Sequence, residues 1–316
     1  MNHDKEDVGV IKDYILDLAF GADENNFECI VDIKNHCCEA GYFIYFEDSE
    51  YGGIIDSVTV NTDNSEVKYS GRTWHGILDS KVLVPDAGQD YLVCTGEANS
   101  VIGILLSRMG LTALFEASEE ASGITISGYK MNRYIKGYAG IRKMLKTAGG
   151  KLKMAFTNGM VVITAMPLID YAEDEQFDTD QIDFEITKVS NPINHVICLG
   201  AGDLAERTVI NLYADSEGYI SHTQSITGIE EVTAVYDYPN AESVEELENG
   251  GIDIIRDSWN QDSVNFSFNS NDDSFDIGDI VGAFERITNI SVSAEITKKI
   301  VSMNNNRTTI SYKVGE

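Results

Sequence analysis

Apolar and polar residues alternate along three segments in the last part of the chain, at 182–187, 264–269 and 309–314. An alternation of period two places one side of a strand in solvent and the other side in a core. The pattern therefore predicts an antiparallel sheet or barrel. One predicted helix interrupts these strands near 240–259, and Asn240 is a suitable N-cap for it.

The first part of the chain also predicts short strands. Segments rich in β-branched and aromatic residues, which favour strands, lie at 27–33, 42–46, 54–60 and 67–70. Gly52-Gly53 and the polar cluster 61–64 supply turns between them. A single short helix is predicted over 73–80.

The middle of the chain has a different periodicity. Apolar residues recur at helical intervals over two segments, each followed by a glycine, at 98–109 and 138–148. Two strands and the hairpin turn between them are predicted at 151–156, 160–165 and 157–159. Residues 85–170 therefore predict a small α+β domain, and the acidic stretch 170–180 is expected to mark its boundary.

Composition excludes several classes of protein. The 316 residues include 52 acidic and 23 basic side chains, for a formal net charge of −29, and the 43% of apolar residues argues against disorder. Binding to nucleic acid or anionic lipid needs clustered Lys and Arg, which this balance disfavours. The N-terminus has acids where a signal peptide has bases, and no apolar run approaches the length of a membrane span. Five scattered cysteines predict reduced thiols in a protein made in the cytosol.

One glycine motif suggests a nucleotide site. Residues 200–205 (GAGDLA) follow the apolar run 195–199 and match the glycine pattern of a dinucleotide-binding turn. That turn must open a helix whose N-terminus binds the pyrophosphate. Here the following segment, 207–213, has the pattern of a strand. The preferred interpretation is a tight glycine turn between two strands.

The candidate metal sites lack complete ligand sets. The His-Cys-Cys triplet at 36–38 offers soft ligands without a partner pair nearby, and no two of the five histidines have ligand spacing on one helix. Residues 271–276 resemble a calcium-binding loop, but Ile277 and Ala283 stand where that loop needs Gly and a bidentate Glu. A solvated turn is the preferred interpretation, and we assign no metal-binding or cofactor-binding residue.

Catalytic signatures are also missing from the sequence. It contains no G-x-S-x-G, H-E-x-x-H or G-x-x-x-x-G-K motif. A glycosidase needs two positioned carboxylates, and 52 acidic residues are too many to identify such a pair from the sequence. Trp74-His75 and Trp259 are candidates for stacking on sugar, although core packing explains them better. We therefore assign no catalytic residue, and the sequence favours a structural or assembly role over an enzyme.

A set of motifs along nearly the whole chain resembles one known family. The motifs are YGGIID at 51–56, YSGRTWHGIL at 69–78, NPINHVICLG at 191–200, GDLAERT at 202–208, FDIGDIVG at 275–282 and ITKKIV at 296–301. In this order they resemble the siphovirus-type phage tail proteins that are related to baseplate hub proteins. Such proteins occur in phages, prophages and phage-tail-like bacteriocins.

The resemblance implies a trimeric hub without catalysis at the distal end of a tail tube. Each protomer of such a hub carries two tube-like antiparallel β-barrels, so that three protomers present six barrels to a hexameric tube. For this chain it implies β-barrel domains at 1–84 and 171–316 flanking the α+β insertion at 85–170, with the helix near 240–259 inserted in the last domain. Because the chain ends at Glu316 after its last predicted strand, no room is expected for a peptidoglycan-cleaving domain.

The resemblance also implies partners and a location. The expected partners are two further copies, the tail tube or distal tail protein, a central spike or fibre and the tape-measure protein, with no membrane and no specific nucleic acid. The expected location is the tail tip (baseplate) of the particle, assembled in the bacterial cytoplasm. Two alternatives remain: a tail-associated peptidoglycan hydrolase with a Glu/Asp pair, and a carbohydrate-binding module that recognises a host surface.

Overall fold

The fold is that of a computed structural model, which describes residues 1–172, 176–178, 184–187, 192–241, 243–259, 263–270, 275–304 and 307–315. Contacts within the chain define two compact units. The first consists of Met1–Phe184 together with Asn265–Glu316, and the second consists of Glu185–Val264. None of the helices in these ranges is long and apolar enough to cross a membrane.

Strands dominate both units. In chain order they are β1 Tyr14–Gly21, β2 Asn26–Asp32, β3 Phe43–Tyr45, β4 Gly52–Asn61, β5 Glu66–Thr73, β6 Val82–Leu83, β7 Leu92–Glu97, β8 Phe115–Ala117, β9 Thr125–Met131, β10 Ile135–Lys136, β11 Gly150–Thr157, β12 Met160–Pro167, β13 Gln176–Asp178, β14 Phe184–Thr187, β15 His195–Leu199, β16 Val209–Ala214, β17 Ile220–Ser221, β18 Thr233–Asp237, β19 Ser263–Ser270, β20 Ile280–Glu285, β21 Ile290–Asn304 and β22 Arg307–Val314. The α-helices are α1 Trp74–Asp79, α2 Ala98–Arg108, α3 Gly137–Thr147 and α4 Val244–Trp259.

One large sheet forms the frame of the first unit. Its strands follow the order β19–β22–β21–β1–β2–β5–β4–β3, while β20 pairs with β21 and β13 pairs with β20. The two ends of the chain meet in the centre of this sheet, where β1 runs antiparallel to β21 from the pair Ile15–Asn304 to the pair Gly21–Lys298. The hydrogen bonds between β1 and β21 thus join a strand of the predicted first domain to a strand of the predicted last domain. The division of the chain into domains at 1–84, 85–170 and 171–316 stays a prediction.

A layer of helices and small sheets completes the first unit. It contains α1, α2 and α3, the sheet β11–β12–β8, and the two-stranded ribbons β6–β10 and β7–β9. The helices at 98–109 and 138–148 and the hairpin of β11 and β12 are present as the periodicity predicts. Buried apolar side chains fill the interior of this layer, among them Trp74, Ile102, Met144, Phe156 and Ile163.

The second unit is a small sheet covered by one helix. Its strand order is β17–β16–β15–β18, with β15 antiparallel to β16 and parallel to β18. The helix α4 buries Leu247 and Ile255 against Val196, Cys198 and Leu212 of the sheet. Of the three alternating segments, 264–269 lies in β19 and 309–314 in β22, whereas positions 182–183 lie outside the described residues.

Two glycines of the family-like motifs lie where β4 and β5 approach closely. A Cβ added at Gly71 would lie 1.9 Å from the carbonyl oxygen of Ile54, and one added at Gly53 would lie 2.0 Å from that of Arg72. Both neighbours are backbone atoms within a sheet, so they cannot rotate away. The close contact explains why glycine stands at both positions.

We expect Gly71→Ala to lower the free energy of unfolding by about 1–3 kcal/mol, because the added methyl group forces the two strands apart. Urea unfolding followed by circular dichroism measures this change. Gly9→Ala is the control, since nothing lies within 4 Å of a Cβ added there. Equal stability of the two variants would contradict the close approach of β4 and β5.

Candidate functional site: a buried network of ion pairs

The glycine motif at 200–205 is a strand connection, as the sequence predicts. It follows β15, contains the short 3-10 turn Leu204–Glu206 and leads into the antiparallel strand β16. The backbone N–H of Gly200 donates to the carbonyl oxygen of Thr208 at 2.8 Å, which closes the turn. Because no helix begins at the motif, the backbone N–H cradle that a pyrophosphate needs is missing from it.

The His-Cys-Cys triplet makes local contacts with Tyr69 and within itself. His36 Nδ1 lies 2.9 Å from the hydroxyl of Tyr69, and the Sγ atoms of Cys37 and Cys38 are 3.6 Å apart, too far for a disulfide. Across the part of the chain that the structure describes, no group of three or more His, Cys, Asp or Glu residues could hold a metal ion. Burial raises the pKa of Cys38 to about 12, so this thiol stays protonated.

The environments of the thiols give a direct test of this segment. Cys37 is exposed, whereas Cys29, Cys38, Cys94 and Cys198 are buried. We expect a water-soluble thiol reagent to label one thiol per native chain rapidly and all five only after unfolding. Cys37→Ser removes the rapid phase, and Cys94→Ser, the control, leaves it unchanged. Rapid labelling of two or more native thiols would contradict the structure.

The other residues that the sequence marks as candidates are mostly structural. Trp74 and His75 are both buried in the first unit, and the indole N–H of Trp259 donates to the carbonyl oxygen of Ile193 at 3.0 Å in the second. Trp74 therefore has no open face for sugar, whereas Trp259 is half-buried and is held by this hydrogen bond. Of the calcium-like loop, positions 271–274 lie outside the described residues, while Asp276 faces lysines rather than an open cation site.

His195 shows the arrangement closest to a catalytic dyad. Its Nδ1 lies 2.8 Å from Glu231 Oε1 and 3.1 Å from Thr233 Oγ1, while its Nε2 lies 3.0 Å from Asn211 Oδ1. The ring also stacks on Tyr213, with 4.4 Å between centroids. A nucleophile and an orienting carboxylate must occupy opposite ring nitrogens, whereas Thr233 and Glu231 share one. The network therefore fixes β15, β16 and β18 rather than activating a hydroxyl.

The main concentration of buried charge lies in the first unit, where the helical layer meets the large sheet. Lys151 at the start of β11 donates to both carboxylate oxygens of Asp279, at 2.8 Å each, and lies 2.8 Å from Asp276. Asp279, with 0% of its surface exposed, also accepts the backbone N–H groups of Ile169 at 2.9 Å and Asp276 at 3.0 Å. This carboxylate therefore holds three chain segments together.

The pKa values follow from this geometry. Burial favours the neutral amine of Lys151, but its hydrogen bonds to Asp276 and Asp279 outweigh that effect and raise its pKa. Burial likewise opposes ionisation of Asp276, but the hydrogen bond and the charge of Lys151 lower its pKa. Lys151 and Asp276 are therefore both ionised over the physiological pH range.

A second buried lysine lies in the same unit. Lys299 in β21 is fully buried and donates to Glu50 Oε1 at 2.6 Å. Its ammonium nitrogen also lies 5.8, 5.5 and 5.8 Å from the ring centres of three aromatic residues, namely Phe20, Tyr51 and Tyr312. Such cation–π contacts add to the ion pair when water is excluded.

His75 lies against this second cluster and stays neutral. Its ring stacks on Phe20 at 4.5 Å between centroids, its Nε2 is 3.8 Å from Glu50, and its Nδ1 has no hydrogen-bond partner in the described chain. Burial, together with the charges of Lys299 and Arg142, lowers the pKa of His75 to about 3. The imidazole is therefore a poor proton acceptor, which argues against a role as a general base.

A third group of charges lines the cavity beside these clusters. Glu295 accepts from Arg142 at 3.1 Å and from Lys146, which joins α3 to β21. The cavity has a volume of about 1100 Å³ and also has Lys143 and Lys313 among its lining residues. These ion pairs connect α3 to β21. Together with the pairs of Lys151 and Lys299, they connect chain segments of the first unit that are far apart in sequence.

The sequence did not identify this network, because its members are far apart along the chain. Lys151 and Asp279 are separated by 128 residues, and Lys299 and Glu50 by 249. One local signal exists. Lys298-Lys299 stands between the apolar residues Ile296 and Ile300 of a strand, and a lysine on the buried face of a strand needs a carboxylate.

Comparison with solved structures identifies the fold. The 43 kDa tail protein of prophage MuSo2 from Shewanella oneidensis superposes with a TM-score of 0.52 and 11% identity over 95% of this chain and 93% of that protein. The tail protein from Neisseria meningitidis MC58 superposes with a TM-score of 0.50 and 11% identity, over 96% of this chain and 91% of that protein.

Similarity to known proteins is found by comparing structures and not by comparing sequences. No protein-family model matches the chain, and no curated protein matches it in sequence. The fold nevertheless covers both tail proteins almost from end to end. The predicted resemblance to phage tail proteins is therefore confirmed at the level of the fold.

Proposed function

We propose that this chain is a structural protein of a phage tail or phage-tail-like particle, and that it works as a baseplate hub between the tail tube and a central spike or fibre. The observation that carries the proposal is the likeness to two tail proteins over more than nine-tenths of each chain. A likeness of this extent leaves little of the chain for an additional enzyme domain.

In the proposed hub three copies form a closed ring. The strand groups β1–β5 and β19–β22 of each copy supply two tube-like barrel surfaces, so that the ring presents six of them to a hexameric tube. The pairing of β1 with β21 supports this arrangement, because it fixes the two groups in one continuous sheet. The buried ion pairs described above also support the proposed hub. They fix the helical layer to the large sheet, and a protein under mechanical load needs such fixed contacts between its layers.

The hub binds other proteins and performs no catalysis. Its partners in this proposal are two further copies, the tube or distal tail protein, the spike or fibre, and the tape-measure protein, at the tail tip of a particle assembled in the bacterial cytoplasm. A formal charge of −29 per copy would make the ring strongly acidic. An acidic channel wall would keep DNA and the tape-measure chain from adhering during passage.

Sedimentation equilibrium of the purified protein tests the ring. We expect a mass three times the 34.8 kDa of one chain at micromolar concentration. Incubation with bacterial cell-wall sacculi should give no loss of turbidity and no soluble fragments. A protein that stays monomeric at all concentrations, or one that clears sacculi, would contradict the proposal.

A further inference from the structure

One segment of this acidic chain has an excess of positive charge. Residues 121–169 contain eight Lys and Arg and no acid, whereas the other 267 residues hold all 52 acids and only 15 basic residues. The eight are Lys130, Arg133, Lys136, Arg142, Lys143, Lys146, Lys151 and Lys153. This uneven distribution gives the molecule an internal charge asymmetry.

Most of these cations are already neutralised within the first unit. Lys136 pairs with Asp79 at 2.8 Å. Arg142 and Lys146 pair with Glu295. Lys151 and Lys153 pair with Asp276, and Lys151 also pairs with Asp279. Within the described ranges, Lys130, Arg133 and Lys143 have no carboxylate partner. Lys130 and Arg133 are three residues apart in sequence, near the end of β9 and in the loop that leads to β10.

Lys130 and Arg133 each lie beside an exposed aromatic ring. The Lys130 ammonium is 5.7 Å from the ring centre of Tyr91, and the Arg133 guanidinium is 5.7 Å from that of Tyr134. Tyr91 is 48% exposed and Tyr134 is 65% exposed. Val93, 56% exposed, lies directly opposite Lys130 in the ribbon β7–β9.

We call the surface formed by Tyr91, Val93, Lys130, Arg133 and Tyr134 the basic–aromatic face. Two acids lie in the neighbouring loop, Asp86 and Asp90, and Asp86 is held by Arg108 at 2.5 Å. Large exposed aromatic residues beside Arg are typical of the centres of protein interfaces, where they give contact area at low entropic cost. The face thus has the composition of an unoccupied binding surface.

We propose that the basic–aromatic face binds the acidic surface of a second copy of this chain. Copies that each carry −29 repel one another unless a positive surface on one meets a negative surface on the next. A contact between two different surfaces is head-to-tail, and such contacts close into rings. The inference rests on the proposed ring and names the surface that holds it together.

A second copy fits the face better than a nucleic acid does. The two cations of this face offer little counter-ion release, and the −29 charge of the whole chain repels phosphate. The exposed tyrosines and Val93 instead favour an apolar protein partner with acids at its rim.

Charge reversal tests the proposal. We expect Lys130→Glu/Arg133→Glu to raise the dissociation constant of the oligomer about 30-fold or more, measured by sedimentation equilibrium, because the two introduced carboxylates then face acids across the contact. The matched control is Lys12→Glu/Lys34→Glu, which makes the same charge change at two exposed lysines outside the basic segment. It should assemble like the unmodified protein.

A second variant separates apolar contact from charge. Tyr91→Ala/Tyr134→Ala should weaken the oligomer in 0.1 M and in 1 M salt alike, and circular dichroism should show unchanged folding, since both side chains are exposed. A monomeric unmodified protein would overturn the ring and this inference together. An oligomer that both variants leave intact would overturn the inference alone. Binding of a 20-base-pair DNA duplex that Lys130→Glu/Arg133→Glu abolishes without changing the oligomer would also overturn it.

Discussion

Asp279→Ala is expected to lower the free energy of unfolding by about 3–5 kcal/mol, the cost of leaving one partner of a buried ion pair unpaired. Without this carboxylate, Lys151 keeps only Asp276 as a counter-ion, and the backbone N–H groups of Ile169 and Asp276 lose their acceptor. A buried donor without a partner adds its own desolvation penalty.

Urea unfolding of Asp279→Ala measures the effect, with Glu28→Ala as the control. Glu28 pairs with Lys68 at 2.9 Å, but both side chains are exposed, so its loss should cost less than about 1 kcal/mol. Asp279→Asn should lie between the two, because an amide oxygen still accepts a backbone N–H. A loss below about 1 kcal/mol for Asp279→Ala would show that Asp279 does not join these segments.

His75 should make the protein sensitive to acid. Its pKa is about 3 in the folded chain against an ordinary value of 6.5, so below pH 6.5 the unfolded chain binds a proton that the folded chain refuses. Stability from this group is therefore complete above pH 6.5 and falls by about 1.4 kcal/mol per pH unit as the pH drops toward 3.

His75→Phe isolates this contribution, because phenylalanine can keep the stacking on Phe20 and takes up no proton. Between pH 6.5 and pH 4.5 the unmodified protein should lose about 2–3 kcal/mol more than the variant. Carboxylates such as Asp276 titrate in both proteins and cancel in the difference. Parallel loss of stability in the two proteins would mean that His75 becomes protonated without unfolding.

Local patterns predicted the local structure well. The spacing of apolar residues identified α2 and α3, and the Asn158-Gly159 turn identified the hairpin of β11 and β12, with positive φ at both turn residues. The strand pattern after Gly202 argued against a nucleotide turn, and the structure has that strand as β16. Each of these features depends on residues that are neighbours in sequence.

Long-range pairing was beyond the reach of such patterns. Nothing in 14–21 indicates that this strand pairs with β21, whose paired residues lie 277 to 289 positions later. Every residue offers the same backbone hydrogen-bonding groups, so the sequence of a strand does not specify its partner. The buried ion pairs were missed for the same reason. Lys299 and Glu50 each look like ordinary surface charges until the fold brings them together.

The family-like motifs have physical explanations in the structure. Gly53 and Gly71 permit the close approach of β4 and β5, Trp74 stacks on Phe156 in the core, and Lys299 holds Glu50. These residues maintain the fold through close backbone approach, core packing and a buried ion pair. That is the pattern expected of a protein whose function lies in its shape and surfaces.

Electron cryomicroscopy of tail-like particles from cells that encode this chain would decide whether it is a hub. Density for three copies should form a ring at the distal end of the tube, with six tube-like surfaces on one side and a spike or fibre on the other. Particles that lack the chain at the tip, or that contain it in a ring of other than three copies, would contradict the adaptor role.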